Sequence, residues 1–239
     1  MTRTALAVSP HLDDAVFSAG ATLAGLARDG WRVLVATLFT GNVARPAVFA
    51  LECQTSKGIP AHVDYMALRR DEDRAACAAI GAEPIHLPLL EAPHRGYASA
   101  PALFASVRAD DEAHATVPDT LATLFADTVP DLLLAPRAIG SHVDHVITYE
   151  AMRSLGSSIE TWFWRDWPYH DRPDAPDPFA ADLHALPEHF GPDDPHLRAA
   201  KRTALHAYAS QLGFQFGGPH ALDSALARAP AEHFSVRPA

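Results

Sequence analysis

The sequence predicts an α/β protein built on a mostly parallel sheet, and three observations support this class. Short apolar runs bounded by proline, such as Leu6–Val8 and Leu132–Leu134, are typical of strands buried on both faces. Segments with helical spacing of apolar residues alternate with such runs. Polar clusters follow two of the runs abruptly, which is where open α/β sheets bind their ligands.

Each element follows from its local pattern. Short apolar or β-branched runs predict strands at Arg3–Val8, Trp31–Phe39, Ile85–Leu87, Leu132–Ala135 and Ile159–Trp164. Apolar residues at helical spacing predict helices at Ala15–Arg28, Val63–Ile80, Val117–Val129, His145–Leu155 and His196–Leu212. Gly30 and Gly81 follow the first two helices, where glycine suits the left-handed residue that ends a helix.

The remaining segments are predicted to be loops or short elements. Thr40-Gly41-Asn42 opens a loop at the sheet edge that also carries His11, and the residues up to Ala61 could hold a loop or a short helix. Pro88–Pro101 looks like a functional loop, and Pro168–Pro195 has too many prolines for long regular elements. No repeat or linker interrupts the chain, so we expect one domain over residues 1–239.

Composition narrows the function classes. The 239 residues are 48% hydrophobic and 20% charged, which suffices for one sizeable core. A formal net charge of −10 argues against nucleic acid as a partner, because nonspecific binding to it needs clustered Lys and Arg. No apolar run suits a signal peptide or a membrane span, so we expect a cytoplasmic protein. Cys53 and Cys77 fit no disulfide or metal motif and are expected to be reduced.

Two polar clusters at predicted strand ends indicate a metal site. His11, Asp13 and Asp14 follow the first strand, and Ser141–His145 follows the strand at Leu132. Zinc prefers histidine nitrogen and carboxylate oxygen, and a catalytic zinc keeps one of four positions open for water. We therefore predict a site with the ligands His11, Asp14 and His145.

Asp13 lies beside the predicted ligand Asp14, so it could act as general base on water whose pKa the ion lowers to about 7. His142 could stabilise the oxyanion of a tetrahedral intermediate, and Asp144 could orient one of the imidazoles. Either motif alone is weak evidence for a metal site, because the chain has 14 histidines and Asp13-Asp14 could simply cap a helix. Their joint placement after two strands favours a site.

The motifs resemble those of a known family. Ser9–Asp14 resembles the H-P-D-D signature of the PIG-L/LmbE-like zinc-dependent N-deacetylases, and Gly140–His145 resembles the H-x-D-H signature of that family. Arg69–Glu72 is similar to its R-x-x-E, and Lys201–Gln211 to its K-x-x-A with a later [ST]-Q. The resemblance covers most of the chain and implies a Rossmann-like three-layer sandwich with a mostly parallel central sheet.

The resemblance implies the same roles as the ligand chemistry: zinc on His11, Asp14 and His145, Asp13 as general base, and His142 with Asp144 at the oxyanion. It also makes Arg69 a candidate for contact with a polar or anionic substrate group, although an ion pair with Glu72 would be an equally good explanation. Two positions depart from the pattern: Leu12 replaces the usual Pro, and Ala15 replaces a frequent Glu. Neither residue is a predicted ligand, but both departures make it less safe to infer this chain's substrate from the best-known members of the family.

The predicted activity is hydrolysis of an acyl amide, most simply acetyl, on an amino sugar or a related small metabolite. Loop residues near the strand ends could recognise this substrate: Glu91, His94, Arg95, Tyr97, Arg165, Asp166 and Tyr169. Fe²⁺, Co²⁺ or Ni²⁺ could replace Zn²⁺ on such ligands. A homo-oligomer is compatible with the sequence.

Two other functions stay open at this stage. An amidase that cleaves a thiol-sugar conjugate would carry the same motifs. A nucleotide-binding α/β module without metal chemistry would need a glycine-rich phosphate loop after the first strand, and the sequence Ser9–Ala15 has no glycine.

Overall fold

The computed structural model describes residues 2–155, 158–229 and 231–239. All strands in these residues belong to one sheet. They are β1 Thr4–Ser9, β2 Arg32–Thr37, β3 Glu83–His86, β4 Leu132–Pro136, β5 Thr161–Trp164, β6 Glu188–Phe190 and β7 His233–Arg237. The spatial order is β3-β2-β1-β4-β5-β7-β6, and β7 runs antiparallel to both of its neighbours. The prediction of a mostly parallel sheet is confirmed.

Helices connect these strands. They are α1 Asp14–Arg28, α2 Val48–Thr55, α3 Tyr65–Ala79, α4 Ala100–Leu103, α5 Ala113–Thr128, α6 Val143–Leu155, α7 Ala180–Leu183, α8 Pro195–Ala207, α9 Ala209–Phe216 and α10 Pro219–Arg228. Short 3₁₀ turns lie at Ala92–His94 and Tyr169–Asp171. The predicted strands and the first four predicted helices are therefore present, with ends shifted by a few residues.

Successive residues of β1 face opposite sides of the sheet and belong to two separate cores. Ala5 and Ala7 pack in a core with residues of α1, α3 and α8. Leu6 and Val8 pack in a second core with residues of α5 and α6. Because a strand turns alternate side chains to opposite faces, a strand with helices on both sides must be apolar throughout. The chain is thus a three-layer α/β sandwich, as predicted.

The strand order reverses beside β1. From β1 the chain first adds β2 and β3 on one side, and β4 then pairs with the other side of β1 in parallel register, Ala5 opposite Leu132. Connections leaving β1 and β4 diverge to opposite faces at such a switch point and leave a crevice at the carboxyl ends of the two strands. Both polar clusters of the sequence follow these ends.

The predicted helix His196–Leu212 is wrong in one respect, because the segment forms two helices that meet at Tyr208. The Tyr208 hydroxyl donates a hydrogen bond to Asp73 on α3 (2.7 Å), and its backbone leaves the helical region at ψ 50°. Glu72 then accepts hydrogen bonds from the backbone N–H and the hydroxyl of Ser210, at 2.7 and 2.6 Å. A new helix starts here because α3 supplies partners for its first turn.

Sequence reasoning missed α10 and the strands β6 and β7. β6 has only three residues and lies at the sheet edge, where a strand needs little apolar pattern. β7 reads His-Phe-Ser-Val-Arg, which alternates polar and apolar residues as a strand does, so this strand was open to prediction and was overlooked. Cys53 and Cys77 are free thiols. None of the helices within the described ranges has the length and apolarity to cross a bilayer, and the cytoplasmic location stays a prediction.

Val129 follows α5 in a left-handed conformation (φ 43°, ψ 64°) and is 74% exposed. A β-branched residue is strained there, whereas glycine adopts this conformation freely. We expect Val129→Gly to raise the free energy of unfolding by about 1 kcal/mol, measured by urea denaturation. Val129→Ala keeps a Cβ and is the matched control. A Val129→Gly protein less stable than the Ala variant would contradict the expectation.

Candidate metal centre and active site

The turn after β1 presents three acidic or imidazole side chains in four residues. The Ser9 hydroxyl donates to the backbone oxygen of His11 (2.7 Å) and accepts from the backbone N–H of Ala15 (3.1 Å). The backbone N–H of Asp13 also donates to the oxygen of His11 (2.9 Å). These bonds hold the chain in a compact turn that leads directly into α1, with Leu12 fully buried beneath it.

The turn after β4 is built from left-handed residues. Ala138, Gly140 and Ser141 have φ values of 65°, 96° and 60°, so the chain reverses sharply before α6 begins at Val143. A Cβ at position 140 would come within 3.3 Å of the Tyr169 ring. Glycine is favoured here by its positive φ and by the close Tyr169 ring, which a Cβ would push by a few tenths of an ångström. The turn delivers His142, Asp144 and His145 to the crevice beside β1.

The two clusters meet at the carboxyl ends of β1 and β4. His11 Nδ1 lies 3.2 Å from Asp14 Oδ2, and His145 Nε2 lies 3.1 Å from the same oxygen. Among the residues that the structure describes, two groups could hold a metal ion, and these three residues form one of them. The second group comprises His11, His142 and Asp144.

The first group fits a divalent ion. Bonds of about 2.0–2.1 Å to a tetrahedral ion would separate any two ligand atoms by about 3.3 Å, close to the observed spacings. His145 Nε2 is buried and makes no well-aligned hydrogen bond to any described residue, despite its distance to Asp14. Its other nitrogen, Nδ1, lies 2.9 Å from Asp166 Oδ1. A proton on Nδ1 leaves the Nε2 lone pair available for a cation.

Asp144 is already engaged by other groups, which argues against the second set of ligands. Its Oδ2 accepts from His11 Nε2 (2.9 Å) and from the backbone N–H of Ala92 (3.1 Å), while Oδ1 accepts from Arg95 Nη2 (2.7 Å). The bond from Nε2 fixes the His11 ring so that Nδ1 faces Asp14. Asp144 thus orients His11 in the way that Asp166 orients His145.

The electrostatics of the site favour a positive charge between the carboxylates. Burial alone would lower the pKa of His11, but hydrogen bonds to Asp14 and Asp144 raise this pKa to about 9. The pKa of His145 is also raised, against the effect of burial, by Asp14 and Asp166. A divalent ion would supply this positive charge and leave both imidazoles neutral.

Asp13 faces the same cavity but lies outside the ligand group. Burial raises the pKa of the Asp13 carboxyl to about 7, and the charge of Asp14 acts in the same direction. Arg69 Nη2 lies 3.8 Å from Asp13 Oδ1 and opposes this shift. A carboxylate that titrates near neutrality can both accept and return a proton at physiological pH.

His142 is a neutral imidazole. Burial lowers the pKa of its ring to about 3, and the positive charges of His11 and His145 contribute to this shift. The backbone N–H of Asp144 donates to His142 Nδ1 (3.2 Å), so the ring proton is on Nε2. His142 can therefore donate a hydrogen bond without carrying a charge.

A cavity of about 390 Å³ lies over this cluster, and His11, Asp13, Asp14, His142 and Asp144 line it. Of the predicted substrate-binding residues, Arg69, Glu91 and Tyr169 also line it. Arg69 Nη1 donates to Glu91 Oε1 (2.5 Å), so these two side chains form a buried pair on the cavity wall. The alternative pairing of Arg69 with Glu72 is not found, because Glu72 binds Ser210.

The other five predicted substrate contacts lie elsewhere. The Tyr97 hydroxyl donates to Asp111 (2.9 Å), and Arg165 lines a separate cavity. Asp166 binds His145 and the backbone N–H of Ile139, and Arg95 binds Asp111, Asp144 and the backbone oxygen of Leu90. His94 borders two neighbouring cavities. A polar residue after a strand can point into the crevice or support a residue that does, and sequence alone does not distinguish the two.

The sequence analysis missed the wall of the cavity. Its apolar part comprises Phe49, Pro93, Ala100, Leu103, Phe104 and Phe214, and its polar part includes Glu52, Lys57, Gln211 and Gln215. Most of these residues lie in segments without clear periodicity. Gln211 belongs to a motif noted in the sequence, and Pro93 and Ala100 belong to the predicted functional loop Pro88–Pro101.

Asp166→Asn tests the support of His145. Asparagine can no longer accept from Nδ1 as a carboxylate does, so we expect the affinity for a divalent ion to fall by about 10- to 100-fold. The measurement is a competition titration with a chromogenic chelator. Asp174→Asn, at an exposed position in the same region, is the control. Equal affinity in both variants would contradict the support role.

The fold and the site together define an α/β protein with a candidate metal centre at the switch point of its sheet. Residues 6–155 match the family described as PIG-L: GlcNAc-PI de-N-acetylase, and the chain belongs to this family. The chain is also 33% identical over 176 residues to 2'-N-acetylparomamine deacetylase of Streptomyces fradiae. That alignment covers 72% of the chain and 60% of the relative's length.

Solved structures of two similar proteins match over nearly their full length. The A40926 pseudoaglycone deacetylase is 31% identical with a TM-score of 0.75, and the alignment covers 99% of this chain and 97% of that one. A zinc-inhibited form of teicoplanin deacetylase is 27% identical with a TM-score of 0.75, over 99% and 98% of the two chains. The family resemblance seen in the sequence is confirmed.

Proposed function

We propose that this protein is a metal-dependent N-deacylase that removes an acyl group, most simply acetyl, from the amide nitrogen of an amino sugar. The observation that carries the proposal is the convergence of His11 Nδ1, Asp14 Oδ2 and His145 Nε2 on one point beside Asp13. The relatives named above, which are deacetylases, support the same reaction class. The chain spans only about three fifths of the curated relative, so the activity is inferred for this chain from its own site.

The chain's own residues have the following roles. His11, Asp14 and His145 would hold the ion, with Asp144 and Asp166 orienting the two imidazoles. The donor set suits Zn²⁺ and also accepts Fe²⁺, Co²⁺ or Ni²⁺. When bound, such an ion polarises the amide carbonyl and lowers the pKa of water.

Asp13 takes a proton from the attacking water as the water oxygen bonds to the amide carbon. His142 donates its Nε2–H to the oxygen of the tetrahedral intermediate, where a neutral donor stabilises the developing charge. Asp13 then delivers this proton to the nitrogen as the C–N bond breaks, while His142 keeps its Nε2–H. The second proton of the water passes to the amine as well, so the products are a carboxylate and an ammonium group.

The proposal is tested by release of primary amine from a panel of N-acylated sugars, with chelator treatment and metal add-back. We expect N-acetylated amino sugars to be hydrolysed, the activity to disappear with chelator, and a divalent ion to restore it. Including a thiol-sugar conjugate in the panel tests the alternative amidase activity. Amine release that is indifferent to chelator would contradict the metal-dependent reaction.

A nucleotide-binding module is disfavoured by the charge of the site. The first turn of α1 carries Asp14, and Asp13 precedes it, so carboxylates occupy the helix N-terminus at which such modules bind phosphate. The crevice of this chain therefore suits a cation rather than a phosphate.

The pKa of Asp13 sets the expected pH dependence. A base must be deprotonated, so kcat/KM should fall tenfold per pH unit on the acid side of the Asp13 pKa and level off above it. Burial raises this pKa to about 7, and the positive charge of a bound divalent ion lowers it from there, in the same direction as Arg69 does. Arg69→Met removes a positive charge that lowers this pKa, so the acid limb should move to higher pH. Arg74→Met, on the exposed side of α3, is the control. An acid limb that stays in place or moves to lower pH in Arg69→Met would contradict this assignment.

A further inference from the structure

Exposed phenylalanine side chains border the active-site cavity. Phe104 is 42% exposed and Phe214 is 67% exposed, and both line the cavity above the metal ligands. Within the described part of the chain five large apolar side chains are exposed, and the other three are Val48, Val129 and Phe190. Exposed apolar surface that continues into a pocket usually marks a contact with a ligand.

Packing in the protein core does not explain the positions of these two rings. Neither Phe104 nor Phe214 belongs to the core clusters found among the described residues. Phe104 follows the short helix α4, and Phe214 lies on α9, so two separate segments each place an aromatic ring at this cavity. Phe49 of α2 adds a third. Three independent segments thus contribute aromatic surface to one opening.

The apolar wall begins beside the reacting groups. The ring centroid of Phe104 lies 5.3 Å from that of His142, with the rings at 87°. Near Phe214, Lys57 Nζ lies 5.2 Å from the ring centroid and donates to the Tyr65 hydroxyl (2.7 Å). A carbonyl bound against His142 therefore has an aromatic ring next to it, so whatever is attached to the amide on that side meets Phe104.

The floor and the wall of the cavity differ in chemistry. Histidine and carboxylate groups form the floor, and the buried pair of Arg69 and Glu91 lies beside them. The wall carries the aromatic rings, interspersed with the polar side chains of Glu52, Lys57, Gln211 and Gln215. A plain N-acetylated sugar satisfies the polar groups but has no apolar part to cover Phe104 and Phe214.

We propose that the substrate is an N-acylated amino sugar that carries an apolar substituent of ring size or larger, and that Phe104 and Phe214 bind this substituent. The inference rests on the proposed deacylase function and names its substrate class. The substituent could be an apolar aglycone or a long acyl chain, and these share the chemistry that the wall recognises.

The experiment compares kcat/KM for amine release from four compounds. They are N-acetylglucosamine, its phenyl and octyl β-glycosides, and N-octanoylglucosamine. We expect at least one apolar compound to exceed N-acetylglucosamine by tenfold or more. The glycosides test the aglycone, and the octanoyl compound tests the acyl chain.

Variants of the two phenylalanines test whether their rings cause the preference for apolar compounds. The readout is the ratio of kcat/KM for the preferred apolar compound to kcat/KM for N-acetylglucosamine. Phe104→Ala and Phe214→Ala should each lower this ratio at least threefold. Phe214→Leu should lower it less than Phe214→Ala does. Phe190→Ala removes an equally exposed phenylalanine, 56% exposed on β6 away from this cavity, and should leave the ratio unchanged. Thermal unfolding of each variant shows that the fold is intact.

The outcomes separate this proposal from the deacylase function. If N-acetylglucosamine is hydrolysed as efficiently as every apolar compound, the apolar substituent is excluded while the deacylase function stands. A preference that survives in both Phe→Ala variants overturns the assignment to these rings. Absence of amine release from all four compounds with the metal-loaded protein overturns both proposals.

Discussion

Asp13→Asn is expected to lower kcat by about 10³- to 10⁴-fold while divalent metal binding stays near normal. General acid–base catalysis contributes about 10²- to 10⁴-fold, and Asp13 would serve both the attack of water and the departure of the amine. Asparagine keeps the size of the side chain but cannot accept the proton. Asp13→Ala should show the same loss. The measurements are steady-state amine release and metal content of the purified variants.

Asp29→Asn, at the exposed other end of α1, controls for a general effect of charge removal. Asp13 lies outside the ligand group of His11, Asp14 and His145, so its loss should separate catalysis from metal binding. A fully active Asp13→Asn or Asp13→Ala protein would exclude the proposed mechanism.

His145→Ala is expected to lose both the metal and the activity. His145 Nε2 is one of three candidate ligand atoms, and two remaining ligands would hold an ion weakly. Because an ion of this kind contributes several kcal/mol to the reaction, activity should fall by more than about 10³-fold. Metal analysis and amine release on the same preparation test both effects.

His220→Ala, at an exposed position of α10, is the matched control. A His145→Ala protein that keeps a stoichiometric metal would exclude the proposed ligand set. Removal of His145 also leaves Asp14 and Asp166 without their shared partner, so a lower melting temperature is expected to accompany the loss of metal.

The convergence of His11, Asp14 and His145 could be predicted because these residues lie just beyond the ends of two strands, and their role as metal ligands stays a prediction. The carboxyl ends of parallel strands lie on one edge of a sheet, so His11 and His145 could be placed together without knowledge of the intervening 133 residues. The pairing of β1 with β4 confirms that the two segments are neighbours. The break at Tyr208 was not predictable, because it depends on Asp73 from a helix distant in the sequence.

The cavity wall was beyond sequence reasoning for a different reason. Phe104 and Phe214 are exposed aromatic residues at or near the ends of short helices, where no periodic pattern assigns them to a core or a surface. Arg95 and Asp166 show the converse problem. Both follow strands and are polar, yet each binds another side chain of the centre rather than lining the cavity.

The reacting groups lie in the segments that follow β1 and β4, whereas the aromatic rings around the opening lie in or next to α2, α4 and α9. Changes in these outer helices would therefore alter which molecules are accepted without moving His11, Asp14 or His145. Exchange of the outer helices between members of the family offers a route to engineered selectivity, with the hydrolytic chemistry carried over intact.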